Sequence, residues 1–507
     1  MLAVATISGP FPKAGVIAAG ILAAAVIIAQ GNRARAWAML GAIVLAPVLL
    51  LVDIWHSPQL SFVHRHPLEA GIAAAAALIV LGALGLLVAR RPRLLAPLAV
   101  AALPFRIPIQ AGGAAASNLL VPLYVVVAAG ALAWIVPTLR AEGPPEHRRQ
   151  SYLFEQLLGA FVVLYAVQAV YSSGFQTALQ NMVFFYVPFA LLLSLLRDLR
   201  WDRELLERCL AVTVVLAVIF VAIGFYEEET KTLLLSSKLV DANEVHTYFI
   251  VNSVFYDPDI FGRYLALVMI LLVAVLLYER RPRVVIGVAV LLAVLWGGLV
   301  ITLSRSSFVA LLVGMAALAA LRWRAKPVIG VIVAVAVAGI AAVLISPHTF
   351  GFNQGLNGAS SGRANLVTGG MHLFANRPVW GYGSGAFVPE YRLHFPATAA
   401  NVSASHTIPV TVAAEQGIIG LLLYVALVLA IIATLLRGAR LEPARAAILA
   451  AFLALLVHTF LYAAFLEDPL TWTLLAIGGA LANASRDRLE QAARDARQAR
   501  RAAATPA

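Results

Sequence analysis

Two side chains stand in settings that suit chemistry: Arg305, in TLSRSSF, and His406, in NVSASHTIPV. A guanidinium is permanently charged and offers a planar fork of donors that matches phosphate oxygens. Arg305 falls at the tight turn between two long apolar runs, so its charge sits near a membrane surface, the depth at which a lipid-linked phosphate would arrive. His406 precedes Pro409, and proline is favoured in the first turn of a helix. A neutral imidazole at such a helix mouth can take a proton from a sugar hydroxyl. Arg363, Arg377 and Arg392 share the 346–407 stretch with His406, as do His372, His394 and Glu390. Arg263 lies one turn beyond Asp257-Pro258-Asp259, and Arg106 stands between Pro104 and Pro108. Each has a plainer reading. The arginines can be headgroup anchors, His406 an interfacial hydrogen-bonding residue, and Asp257 or Asp259 a helix cap.

The elements that must position these residues follow from composition. Hydrophobic residues make up 62% of the 507-residue chain, charged residues 12%, and the mean hydropathy is +0.89. Soluble domains carry about 25% charged residues, so lipid must solvate much of this surface. Every backbone polar group in lipid must be satisfied internally, which leaves helices or a closed barrel. The apolar runs lack period-two alternation and are long enough for helical spans. They fall at 15–30, 36–54, 70–89, 94–110, 119–138, 153–171, 181–196, 209–225, 259–278, 284–303, 307–321, 327–345, 408–434, 446–464 and 470–483. Basic residues gather in alternate connections and in the tail, which together hold 27 of the 37. Basic connections stay cytoplasmic, so the amino terminus is expected outside and the carboxyl terminus inside. The other ten, Lys13, Arg65, Arg106, Lys231, Lys238, Arg263, Arg305, Arg363, Arg377 and Arg392, face the other way. Charge placed against the topological bias is often functional, and as a group these residues point to an anionic ligand.

The net charge of +12 therefore reads as topology, and nucleic acid is not an expected partner. Two expected outer connections, 226–257 and 346–407, exceed the about 12–15 residues beyond which loops are usually functional or disordered. The second, rich in glycine and aromatics with GYGSGAF at 381–387, reads as folded and partly helical. Glu227, Glu228, Glu229, Asp241, Glu244 and His246 cluster in the first without a specific metal spacing, so no metal is expected. Cys209 is the single cysteine and excludes an intramolecular disulfide. No phosphate loop, nucleophile elbow or zinc helix motif occurs, and no cleavable leader is expected. The tail from 485 is a basic helix suited to anionic lipid.

The segments VNSVFYDPDIFGRYLAL, TLSRSSFVAL, SGRANLVTGGMHLFANRPVWGYGSGAF and ASHTIPVTVAAEQGIIGLLLY, in this order, resemble the O-antigen ligase and polymerase superfamily of bacterial envelope enzymes. The shared pattern is an arginine at a turn between spans, an arginine-begun helix, a Pro–x–x–Gly–x–Gly stretch, a histidine, and Glu–x–Gly–x–x–Gly opening the next span. Here these are Arg305, Arg363, Pro378 to Gly383, His406, and Glu415, Gly417 and Gly420. The resemblance covers about 250–480. Thr407 follows His406 where the family commonly has asparagine.

The resemblance implies an all-α polytopic membrane protein of about twelve core transmembrane helices, with about three more at the amino end here, and a long partly helical extracytoplasmic loop. The expected organisation is extra helices over 1–93, a core over 94–484 including the 346–407 loop, and a basic tail over 485–507. It implies transfer of a glycan from undecaprenyl diphosphate to an acceptor hydroxyl outside the bacterial cytoplasmic membrane, with inversion and without cofactor or metal. The acceptor would be lipid- or glycan-linked, and membrane lipids are the surroundings. His406 would be the general base. Arg305 and Arg363 would hold the diphosphate, with Arg106, Arg263, Arg377 and Arg392 in a second rank. Glu415 would orient His406 or pair with an arginine. The alternatives are a polymerase of lipid-linked repeats, a flippase or transporter, and a peptidoglycan-type glycan polymerase.

Overall fold

The computed structural model describes residues 9–54, 64–105, 107–109, 117–140, 152–234, 249–323, 363–396, 407–462 and 464–485. The apolar runs are helices. α1 (Pro10–Ile28), α2 (Asn32–Ile54) and α3 (Pro67–Arg90) come first, and a 3-10 turn (Pro92–Leu94) leads into short α4 (Leu95–Ala102). An antiparallel ribbon follows, β1 (Ile107–Ile109) on β2 (Ser117–Leu119), with Ile107 opposite Leu119. Next come α5 (Val121–Leu139), α6 (Leu153–Ala169), α7 (Phe175–Asn181), a π turn (Met182–Tyr186) and α8 (Val187–Arg197). Then come α9 (Arg203–Thr230), α10 (Pro258–Tyr278), α11 (Pro282–Ile301), α12 (Arg305–Arg322), α13 (Arg363–Asn376), α14 (Phe387–His394), α15 (Ile408–Leu436), α16 (Pro443–Thr459) and α17 over 469–485.

The protein is an all-α polytopic membrane protein. Among the described residues ten helices are long and apolar enough to span, and 92–102, α6 and α16 are shorter apolar helices. Proline at the first or second position opens α1, α3, α5, α10, α11, α15 and α16, where its missing N–H costs nothing. Two expected spans are corrected. The run 94–110 is not one helix: α4 ends at Ala102, before Pro104, and the chain turns into the ribbon. The run 181–196 begins earlier, at Phe175, and is interrupted by the π turn just before Pro188, which has no N–H to donate into it. The expected span 327–345, Arg106, His406, the loop residues Asp241, Glu244 and His246, and the tail beyond 485 lie outside the described residues.

The connections lie at two ends of the bundle. At one end Arg35 pairs with Asp198 at 2.6 Å, and Arg93 reaches Asp202 and Glu204. Close by, the Arg197–Glu155 pair is buried at 3.2 Å. α1 packs inside the bundle, and its Gly20 lies so near Ala166 of α6 that a β-carbon there would stand 2.5 Å from the alanine methyl. Such small-residue contacts let helix backbones approach in lipid, where hydrophobic drive between helices is absent. α3 is peripheral, with only Gly85 and Val88 buried. At the opposite end α13 and α14 build a small core of their own on α15, from Leu373, Tyr382, Ala386, Phe387, Tyr391 and Ala414. This end carries the candidate site.

Candidate functional site

α15 is the backbone of the site. It starts at Ile408 and breaks at Gly417, whose φ of 65° and ψ of −163° fall in a region essentially confined to glycine. The break frees backbone groups, and the 378–387 segment takes them. Ile418 N–H donates to the Pro378 carbonyl at 2.7 Å, Tyr382 N–H to Ala414 at 3.1 Å, and Gly383 N–H to Glu415 at 2.7 Å. The contact is reciprocal. A β-carbon on Gly381 (φ +67°) would stand 2.3 Å from the Glu415 carbonyl oxygen, and one on Gly417 would stand 2.2 Å from that of Val379. The glycines of the Pro–x–x–Gly and Glu–x–Gly motifs are thus two halves of one backbone-to-backbone joint.

The Glu415 side chain serves the same joint. Its two oxygens accept from Gly385 N–H at 2.8 Å and Phe387 N–H at 3.0 Å. Among the described residues its partners are backbone donors of the loop; His406, which it was expected to orient, lies outside them. α6 straps the other side. Gln168 donates to the carbonyls of Trp380 and Gln416, each at 3.3 Å, and Ser172 donates to Ser384 at 2.7 Å. The Ser384 hydroxyl returns a bond to the Tyr165 carbonyl at 2.8 Å.

A second polar cluster lies where α10, α12 and α16 meet. Asp257 caps α10, accepting from Asp259 N–H at 2.9 Å. Asp259 then turns to the start of α12. Its Oδ1 accepts from the hydroxyls of Ser304 at 2.5 Å and Ser306 at 2.9 Å, the two residues flanking Arg305. Its Oδ2 faces Arg363, the first residue of α13, at 3.8 Å. A carboxylate at a helix N-terminus is favoured by the helix dipole. Arg305 itself is exposed and makes no ion pair with the described residues. Beneath it, His458 of α16 is fully buried, its Nε2 at 3.2 Å from Ser306 Oγ and 3.5 Å from Ser307 Oγ.

The remaining arginines have separate settings. Arg263 is buried and ion-paired with Asp468, and its guanidinium lies 5.9 Å from the Tyr462 ring centre. A carboxylate more than two hundred residues away therefore compensates a charge that sequence alone left to either a carboxylate or a bound anion. Arg377 stacks on Tyr382, 4.4 Å from its centroid. Arg392 is exposed on α14. α13 separates Arg363 from Arg377 by fourteen residues, and at 1.5 Å per residue that is roughly 21 Å. One diphosphate cannot meet both in these positions. Sequence reasoning passed over His458, Asp468, Gln168 and the serines around Arg305. An ionisable residue inside the apolar run of α16 was the available signal for His458. Gln168, a polar residue inside the apolar run of α6, carried the same signal, whereas Asp468 and the serines stand in polar or connecting text that nothing distinguishes.

Residues 290–425 match the family model described as O-Antigen ligase. The matched stretch contains Arg305, α13, α14 and the joint with α15, and it supports membership of the chain in the O-antigen ligase superfamily. No curated protein matches the chain.

Proposed function

From that match we propose that the protein transfers a glycan from undecaprenyl diphosphate to an acceptor hydroxyl on the outer side of a bacterial cytoplasmic membrane. The observation that carries the reading is Asp259. It accepts from both neighbours of Arg305 and faces Arg363, so the two arginines flank one mouth of the bundle. A diphosphate leaving group needs fixed positive charge where its negative charge develops, and preorganised donors supply it without reorganisation. The acceptor oxygen attacks the anomeric carbon, and the carbon–oxygen bond to the diphosphate breaks with its electron pair leaving on phosphate. The acceptor proton passes to His406, and attack from the opposite side inverts the centre. Arg263 belongs to the supporting structure through Asp468, while Arg106 and Arg392 stay in the second rank.

The test is transfer by the purified protein from an undecaprenyl-diphosphate glycan to lipid or glycan acceptors. Arg305→Ala, Arg363→Ala and His406→Ala should each lose at least tenfold in kcat while melting as the wild type does. Undiminished transfer by all three sinks the mechanism. Acceptor preference separates ligase from polymerase, and full activity in chelator is expected of a metal-independent reaction.

A further inference from the structure

Behind the joint, at the far end of α13 from Arg363, lies a pocket of about 470 Å³ lined by Tyr171, Arg377, Val379 and Trp380. It is open and shallow, a groove on the surface rather than an enclosed cavity. Trp380 is 58% exposed and Tyr171 47% exposed. Their placement is rigid. The Tyr171 hydroxyl donates to the Trp380 carbonyl at 2.8 Å, and Gln168 donates to the same oxygen. The next residue is Gly381, locked against Glu415. Arg377, which lines the pocket, has its guanidinium carbon stacked over the Tyr382 ring, a contact that limits its rotamers.

Exposed aromatics near a membrane surface often anchor a protein in headgroups. That role needs no guanidinium fixed beside the rings. Aromatic faces beside a fixed fork of donors suit a sugar, which has an apolar C–H face and a rim of hydroxyls. We infer that the Tyr171–Arg377–Trp380 pocket is a carbohydrate subsite that binds the glycan at a distance from the reacting end. The inference rests on the proposed function for its source of glycan. A donor whose diphosphate lies at Arg305 and Arg363 projects its sugars outward, and α13 spans roughly 21 Å from that mouth to the pocket. Several sugar rings bridge such a distance, so the pocket reads glycan length and identity rather than the leaving group.

The first measurement uses no chemistry: the full chain in lipid nanodiscs is passed over an array of free bacterial oligosaccharides carrying neither lipid nor phosphate. Binding to at least one oligosaccharide is expected, weakened at least tenfold by Trp380→Ala and by Arg377→Ala and largely restored by Trp380→Phe. The second compares carriers bearing one sugar with carriers bearing a long glycan. Trp380→Ala should lower the long-over-short ratio of kcat/KM at least tenfold. Arg305→Ala, which removes the diphosphate contact, should depress transfer from both. No binding on the array, binding untouched by Trp380→Ala, or an unchanged ratio overturns the subsite. Trp380-dependent binding by a wild-type protein that transfers nothing would instead overturn the proposed function and leave the subsite standing.

Discussion

Gly417 and Val379 meet backbone to backbone: a β-carbon on Gly417 would stand 2.2 Å from the Val379 carbonyl oxygen. Nothing flexible lies at that contact to give way, and the φ of 65° already disfavours any side chain. Gly417→Ala should therefore cost about 1–3 kcal/mol in backbone strain alone, with the overlap added. Lower melting temperature and early proteolysis within 378–387 are the expected readings. A variant that melts and resists protease like the wild type would show that the joint is not tight.

Glu415 should behave as a structural carboxylate. Glu415→Gln turns one acceptor into an amide that faces a backbone N–H, leaving a buried donor unpaired at about 1–3 kcal/mol. Melting temperature and kcat should fall together while the pH profile of kcat keeps its shape. Loss of one limb of that profile would instead assign Glu415 to proton transfer.

Arg263 and Asp468 form a buried pair, and removing one partner of such a pair typically costs ~3–5 kcal/mol. Arg263→Met should be severely destabilised. Asp468→Asn keeps the cap that Asp468 provides to Leu470 N–H, so adding it to Arg263→Met should recover a large part of the melting temperature. A double variant as unstable as the sum of the singles would mean that the two charges do not compensate each other.

Asp259 holds Arg363 by charge and the serines by hydrogen bonds. Asp259→Asn keeps an acceptor and removes the charge, so it should fold normally and raise KM for the lipid-linked donor about two- to fivefold, the ~0.4–1 kcal/mol of a partly exposed ion pair. Asp259→Ala should also lower the melting temperature, because the Ser304 and Ser306 hydroxyls lose their acceptor. Equal KM values for wild type and Asp259→Asn would remove Asp259 from the positioning of Arg363.

The Arg281 guanidinium and the N–H groups of Arg280 and Arg281 hold the Glu279 carboxyl down at about 2. Its contribution to stability is therefore present above the ordinary carboxylate value and fades as pH falls toward 2. Melting curves of wild type and Glu279→Gln should differ by a small constant amount at neutral pH and converge in acid. Divergence on acidification would reverse the sign.

Much of this molecule is legible one residue at a time. Hydropathy and charge are additive along the chain, so the helices α1–α3, α5, α6, α9–α12, α15, α16 and α17 can be located from apolar runs, and the Arg305 turn from the gap between two of them. That the 346–407 stretch holds helices was readable at Arg363, and α14 was not, because its eight residues make only about two turns, too few for the Phe387–Tyr391 face to stand out. The ribbon after α4 replaced a helix because prolines at 104 and 108 deny donors that hydropathy does not count. The partners of the polar groups were decided only by tertiary structure. Glu415 sits one motif away from His406 in sequence, yet its oxygens go to Gly385 and Phe387. Arg263 depends on Asp468 and Ser306 on His458, pairs brought together by the packing of α10, α12, α16 and α17. Arg305 and Arg363 gather at one mouth and Arg377 does not, because α13 is a rigid rod and its length, not the spacing of arginines in the text, sets where each charge stands.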